Sequence, residues 1–164
     1  MIFVTRPDGH PGDAGGCELV DAAEQLSRQA HAGQVDKAGD PYIEHPRRVA
    51  ASVRGDSVAQ AAAWLHDVVE DTSVTLADLR AAGFPEVIVA AVDALTRRTD
   101  EDRDAYYIRV AANPVALQVK WADLADNADP DRLDRLDAQT HARLRAKYAH
   151  AREALERCAT GSGE

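Results

Sequence analysis

The run over residues 58–69 constrains the fold most, because Ala59, Ala61, Ala62, Ala63, Trp64, Leu65, Val68 and Val69 leave it apolar almost all the way round. A helix of that kind must be covered by neighbours on most sides. The same run nevertheless contains His66 and Asp67 and is followed at once by Glu70 and Asp71. Burying an isolated carboxylate costs on the order of several kcal/mol unless it is paired, hydrogen-bonded or metal-bound. These residues demand a partner, and a cation serving several of them is the economical one. On a continuous helix His66 and Glu70 lie one turn apart, as do Asp67 and Asp71, so ligand and water-facing groups converge.

The rest of the chain supplies the cover. Leu19, Ala22, Ala23, Leu26 and Ala30 recur at helical spacing over residues 18–32, with Gly33 as the stop. Residues 33–46 carry turn chemistry in Gly33, Asp36, Gly39, Asp40 and Pro41. Pro46 suits the first position of a helix whose apolar side holds Val49, Ala50 and Val53, which puts His45 at or just before the helix start, able to face inward. Further helices are predicted over 75–82, 85–96, 104–112, 114–127 and 137–158, with Gly83, Asn113 and Asp129-Pro130 as breaks. No stretch alternates with period two, so the expected fold is all-α, a single helical bundle.

A chain of 164 residues is sized for one domain. Residues 1–16, with four glycines and two prolines, read as a disordered leader, 17–158 as the domain and 159–164 as a flexible tail. Cys17 and Cys158 match neither a zinc ribbon nor a redox pair and fit free thiols in a reducing cytoplasm. No stretch approaches the ~20 consecutive apolar residues of a membrane span, and the N-terminus lacks the regions of a signal peptide. The net charge of −9 argues against nucleic acid or an anionic membrane as partner. A small anionic ligand stays compatible, since a metal and a few Lys or Arg reverse the potential inside one pocket. Homo-oligomerisation is left open.

Two more donors point inward: His45, and Asp123 in the mainly apolar stretch 119–124. Two histidines and two aspartates suit Mn²⁺, Fe²⁺, Co²⁺ or Zn²⁺ better than Ca²⁺, and an incomplete protein shell leaves room for water.

The order His45, His66-Asp67, Asp123 resembles the HD superfamily of metal-dependent phosphohydrolases over about residues 19–148. More closely, His31-Ala-Gly-Gln-Val-Asp-Lys37, Pro41-Tyr-Ile-Glu-His-Pro46, His66-Asp-Val-Val-Glu-Asp-Thr72 and Lys120-Trp-Ala-Asp-Leu-Ala-Asp-Asn127 are similar to the hydrolase domain of RelA/SpoT proteins and their small single-domain relatives. Those relatives cleave the 3′-pyrophosphate from the alarmone ppGpp with Mn²⁺. The resemblance implies metal binding by His45, His66, Asp67 and Asp123, with Glu70 and Asp71 orienting or deprotonating a metal-bound water. It implies a ligand contact for Asn127 and a phosphate or base contact for Lys37. An Asn near a helix end also serves as a cap, and a loop lysine is also at home in solvent.

The pattern departs from those relatives at Asp36 and Asp129, where they commonly carry Arg. If both positions face the ligand, each swap weakens the grip on a nucleotide with two diphosphates, since phosphate recognition favours Arg forks. His31 reads as structural, and His141 and His150 as solvated; Trp64, Trp121, Tyr106 and Tyr107 read as packing. Arg97, Arg98 and Arg109 either line an anion pocket or pair with nearby acids. The leading expectation is hydrolysis of ppGpp or a related nucleotide. The alternatives are a nucleotide phosphomonoesterase and a non-catalytic nucleotide-sensing module. Retention of both Glu70 and Asp71 speaks against the last.

Overall fold

The computed structural model describes residues 14–161, and among these every regular element is a helix. In chain order they are α1 (Ala14–Ala30), α2 (Glu44–Ser52), α3 (Ser57–Leu65), α4 (Val68–Asp71), α5 (Leu76–Ala81), α6 (Glu86–Leu95), α7 (Arg103–Ala111), α8 (Pro114–Asn127), α9 (Pro130–Leu133) and α10 (Ala138–Gly161). α3 is the hub, packed by α1, α2, α6 and α8, while α10 closes the other side against α7 and α8. Its central role follows from its composition: Ala59, Ala61, Ala62, Ala63, Trp64 and Leu65 are all buried, and the small alanines let four helices approach closely.

Local signals set the boundaries. Asp56 caps α3 by accepting from Ala59 N–H at 3.0 Å, and Thr75 with Asp78 forms a reciprocal capping box on α5. α5 ends in a Schellman turn, with Gly83 N–H on Arg80 O and Phe84 N–H on Leu79 O; Gly83 takes φ +89°, which a side chain would strain. Asn113 caps α8 ahead of Pro114. No helix among the described residues is long and apolar enough to cross a membrane.

The all-α expectation holds, with four corrections in detail. The apolar run 58–69 is not one helix: α3 stops at Leu65 and α4 starts at Val68, leaving His66 and Asp67 at the break. α2 begins at Glu44, so His45 is its second residue and Pro46 its third, where the missing N–H costs nothing because first-turn donors have no intrahelical acceptor. The Asp129-Pro130 break is itself the start of α9. Of the expected leader, residues 14–16 open α1 and 1–13 lie outside the described residues; of the expected tail, 159–161 extend α10 and 162–164 lie outside.

Candidate metal centre

A side-chain bond marks the break between α3 and α4. His66 Nδ1 donates to the Ala63 carbonyl at 2.6 Å, the carbonyl to which a continuing helix would also direct the N–H of Asp67. Because a carbonyl only accepts, Nδ1 carries a proton and Nε2 is the nitrogen that faces the centre. His45, from α2, is arranged the same way: its Nδ1 meets the Asp126 carboxylate at 2.7 Å. The two Nε2 atoms stand 3.2 Å apart. Two nitrogen lone pairs face to face at that distance repel unless something positive lies between them.

Two carboxylates complete the convergence. Asp123 Oδ1 lies 3.1 Å from His45 Nε2 and 3.6 Å from His66 Nε2. Asp67 Oδ2 lies 3.5 Å and 3.0 Å from the same atoms. His45, His66 and Asp123 are buried, and their ligand atoms all fall within 4.8 Å of one another. Two imidazole nitrogens and two carboxylate oxygens fit a borderline divalent cation, so this cluster is able to hold one.

The electrostatics agree. Burial opposes a charge on His45, yet its hydrogen bonds to Asp123, Asp126 and Asp67 prevail and hold it well above its ordinary value. Burial opposes a charge on His66 too, but Asp67 and Asp123 push it up to about 9. Burial alone would raise Asp67 and Asp123; the histidines, joined at Asp123 by Lys120, hold both far below the usual carboxylate range. Two fixed anions thus face two nitrogens that attract positive charge, whether a proton or a metal.

Around this cluster each ligand has a support. Tyr42 donates its hydroxyl to Asp67 Oδ2 at 2.5 Å and reaches Asp71 Oδ2 at 3.3 Å. Lys120 Nζ donates to Asp123 Oδ2 at 2.7 Å, and Asn127 Nδ2 to Asp123 Oδ1 at 2.6 Å. His31 is buried, donates to Gln34 Oε1 at 2.8 Å and stacks 4.9 Å from the Tyr42 ring, which bears out its structural reading. Glu70 Oε2 accepts from the Arg97 N–H at 3.0 Å. Partial burial, and then the nearby Asp67 charge, raises both Glu70 and Asp71.

The cluster forms one wall of a cavity of about 530 Å³ that Glu70, Asp71, Lys37 and Asn127 also line. Arg97, Lys120 and Lys147 line it as well. Burial, and then the charges of Lys37, Lys120, Arg97 and Arg103, lower Lys147. Among the described residues Lys37, Arg97 and Lys147 form no ion pair; Arg97 and Lys147 lie over the Tyr106 and Tyr148 rings.

The two departures behave differently from expectation. Asp36 lines the cavity, but its Oδ1 accepts from Ala38 and Asp40 N–H at 2.8 Å and 3.0 Å, and its Oδ2 from Arg132 at 3.2 Å. Asp129 does not line the cavity; it caps α9 by accepting from Asp131 and Arg132 N–H. Arg109 grips Glu101, and Arg98 lies 3.6 Å from Asp93. Tyr106 and Tyr107 are buried as expected but also form cavity wall. His150 is exposed, whereas His141 is half-buried 3.5 Å from Asp134; His10 lies outside the described residues. The residues not foreseen are Tyr42, Asp126 and Lys147. The one signal for Asp126 in the sequence is that it is the second acid in 119–127, three positions from Asp123 on one helix face.

The HD domain family model matches residues 23–123. The chain therefore belongs to the HD domain family. Among curated proteins it is 33% identical over 149 residues to a GTP pyrophosphokinase of Streptomyces coelicolor, an alignment covering 84% of this chain and 16% of that protein. It is 36% identical over 111 residues to a guanosine-3′,5′-bis(diphosphate) 3′-pyrophosphohydrolase of Haemophilus influenzae, covering 62% and 16% respectively. The chain thus spans less than a fifth of the length of these relatives. A solved structure of a metazoan ortholog of SpoT that hydrolyzes ppGpp aligns with TM-score 0.61 at 22% identity, covering 98% of this chain and 99% of that one, which establishes a common fold.

Proposed function

We propose that this chain is a metal-dependent phosphohydrolase that removes the 3′-pyrophosphate of ppGpp or a related nucleotide. His45, His66, Asp67 and Asp123 hold a divalent ion, Mn²⁺ by preference. One observation carries the reading: His45, His66 and Asp123 converge with Asp67 beside both imidazoles, and they share a cavity with Lys37, Arg97 and Lys147, which have no ion pair among the described residues, in a chain of net charge −9. Cations concentrated in one cavity of an acidic protein match a small phosphate-rich ligand rather than nucleic acid or a membrane, and a cytoplasmic setting suits such a substrate.

When bound, the ion polarises a phosphoryl oxygen and lowers the pKa of water. The protein groups do the rest. Glu70 and Asp71, whose pKa values burial raises, orient the attacking water and take its proton. Water adds to the phosphorus bonded to the ribose 3′ oxygen, that P–O bond breaks, and the leaving oxygen regains a proton; the products are a nucleoside diphosphate and pyrophosphate. Lys37, Arg97 and Lys147 offset the phosphate charge, and Asn127 contacts the nucleotide while steadying Asp123.

The test is product release from a nucleotide panel in the presence of Mn²⁺. Pyrophosphate from ppGpp, abolished in His66→Ala, supports the proposal, and no release from any panel member by metal-loaded protein refutes it. A second reading, a nucleotide phosphomonoesterase, is favoured by Arg132 and Arg135, which are neutralised by Asp36, Asp126 and Asp40 and so add no free charge to the cavity. Inorganic phosphate as the sole product selects that reading.

A further inference from the structure

The two imidazoles of the candidate centre are aimed by different devices. His66 is fixed by a backbone carbonyl, Ala63 O, which no side-chain substitution can remove. His45 is fixed by a side chain, the carboxylate of Asp126, at 2.7 Å. That carboxylate is itself held from two further directions. Arg48 donates Nε to Oδ1 at 2.6 Å and Nη2 to Oδ2 at 3.1 Å. Arg132 donates to Oδ2 from α9 and to Asp36 beyond it. Asp126 comes from α8, His45 and Arg48 from α2, and Arg132 from α9, so three segments must be in place for the pair to form.

The hydrogen-bond inventory leaves one arrangement. Both guanidinium groups only donate and both carboxylate oxygens only accept, so the proton between Asp126 and His45 sits on Nδ1. Nε2 is then the nitrogen left to coordinate, and it faces Asp123 Oδ1 at 3.1 Å and His66 Nε2 at 3.2 Å. A carboxylate on the far nitrogen also makes an imidazole a stronger donor, and such outer partners set ligand orientation and affinity at metal sites generally.

We infer that Asp126 is a positioning residue for the metal centre: it locks His45 in the Nδ1–H form with Nε2 presented to the ion, and Arg48 and Arg132 hold it in place for that task. The inference rests on the metal-site reading above. It assigns to Asp126 neither coordination nor contact with substrate.

The experiment compares the whole chain with Asp126→Ala and Asp126→Asn. Zn²⁺ serves as a diamagnetic probe, with affinity read by competition against a chromophoric chelator and ring nitrogens read by long-range ¹H–¹⁵N correlation. In the parent both histidines coordinate through Nε2, and His45 shows a Hδ1 signal shifted downfield by its carboxylate partner. Asp126→Ala loses that signal and about 10- to 100-fold in Zn²⁺ affinity. Asp126→Asn, whose amide oxygen still accepts from Nδ1–H, retains Nε2 coordination and recovers most of the affinity, and it carries the test if the alanine variant fails to fold. A purely structural Asp126 would lower the melting temperature of the metal-free protein yet leave Zn²⁺ affinity within about twofold, and that result overturns the inference while sparing the metal site. A parent that binds no Zn²⁺, Mn²⁺ or Co²⁺ overturns both.

Discussion

Arg132 donates to Asp36 Oδ2 at 3.2 Å across 96 positions of sequence, tying the loop that carries Lys37 to the corner that follows α8. The other oxygen of Asp36 closes the loop on itself through Ala38 and Asp40 N–H. Asp36→Arg therefore removes two turn hydrogen bonds and sets a second guanidinium against Arg132. The expected outcome is a melting temperature lower by several degrees and a KM for ppGpp raised about tenfold, the opposite of the gain that charge complementarity alone predicts. Asp129→Arg removes a helix cap and costs about 1 kcal/mol without touching KM. Thermal melts and steady-state kinetics check both; a KM that falls in Asp36→Arg would show that residue 36 meets the substrate directly.

The four-donor cluster predicts about one divalent transition metal per chain after loading with Mn²⁺. His66→Ala and Asp67→Ala should each lose most of it, measured by elemental analysis after gel filtration. Metal content equal to the parent in both variants would move the site elsewhere.

Glu70 and Asp71 line the cavity without belonging to the convergent group of His45, His66 and Asp123. Glu70→Gln and Asp71→Asn should keep the metal and lose about 10²-fold or more in turnover, as removal of a general base or water-orienting group does. The check is metal content and kcat on the same preparations; parallel loss of both would reassign these carboxylates to coordination.

Away from the cavity, Arg109 grips Glu101 with two hydrogen bonds of 2.8 Å and 2.7 Å and also donates to the carbonyls of Asp93 and Thr96. The Arg109 guanidinium holds the Glu101 carboxyl down to about 2 from an ordinary 4.5. A depressed acid contributes stability that is present in full above pH 4.5 and is lost as pH falls toward 2. Glu101→Gln should therefore melt a few degrees below the parent at neutral pH, and the gap should close through that acid window. A gap independent of pH would assign the loss to packing rather than charge.

How much of this could be read from the sequence depends on which residues are asked. His66, Asp67 and Asp123 are legible because polar groups in apolar helical runs are costly, and the costs name the residues. His45 is legible from its place before Pro46. The stop at Leu65 is not: apolar periodicity runs straight through it, and the side-chain to carbonyl bond at His66 that accompanies it is not encoded in that periodicity. Asp126 looks like a solvated acid until α2 and α9 bring Arg48 and Arg132 beside it. Asp36 and Asp129 share a charge, yet one closes a loop and the other caps a helix, and only tertiary placement separates them.

Neighbouring residues on an α-helix leave the axis about 100° apart. His66 and Asp67 both keep right-handed helical backbone angles at the junction of α3 and α4, so the direction of their side chains follows from where the last turn of α3 aims. That aim is fixed by the packing of α3 among α1, α2, α6 and α8. The alanines of the core thus set where the two side chains of the candidate metal site point. On the metal-site reading, a methyl added at the fully buried Ala62, or removed at Leu65, is expected to shift the ion the site prefers without contact with any ligand.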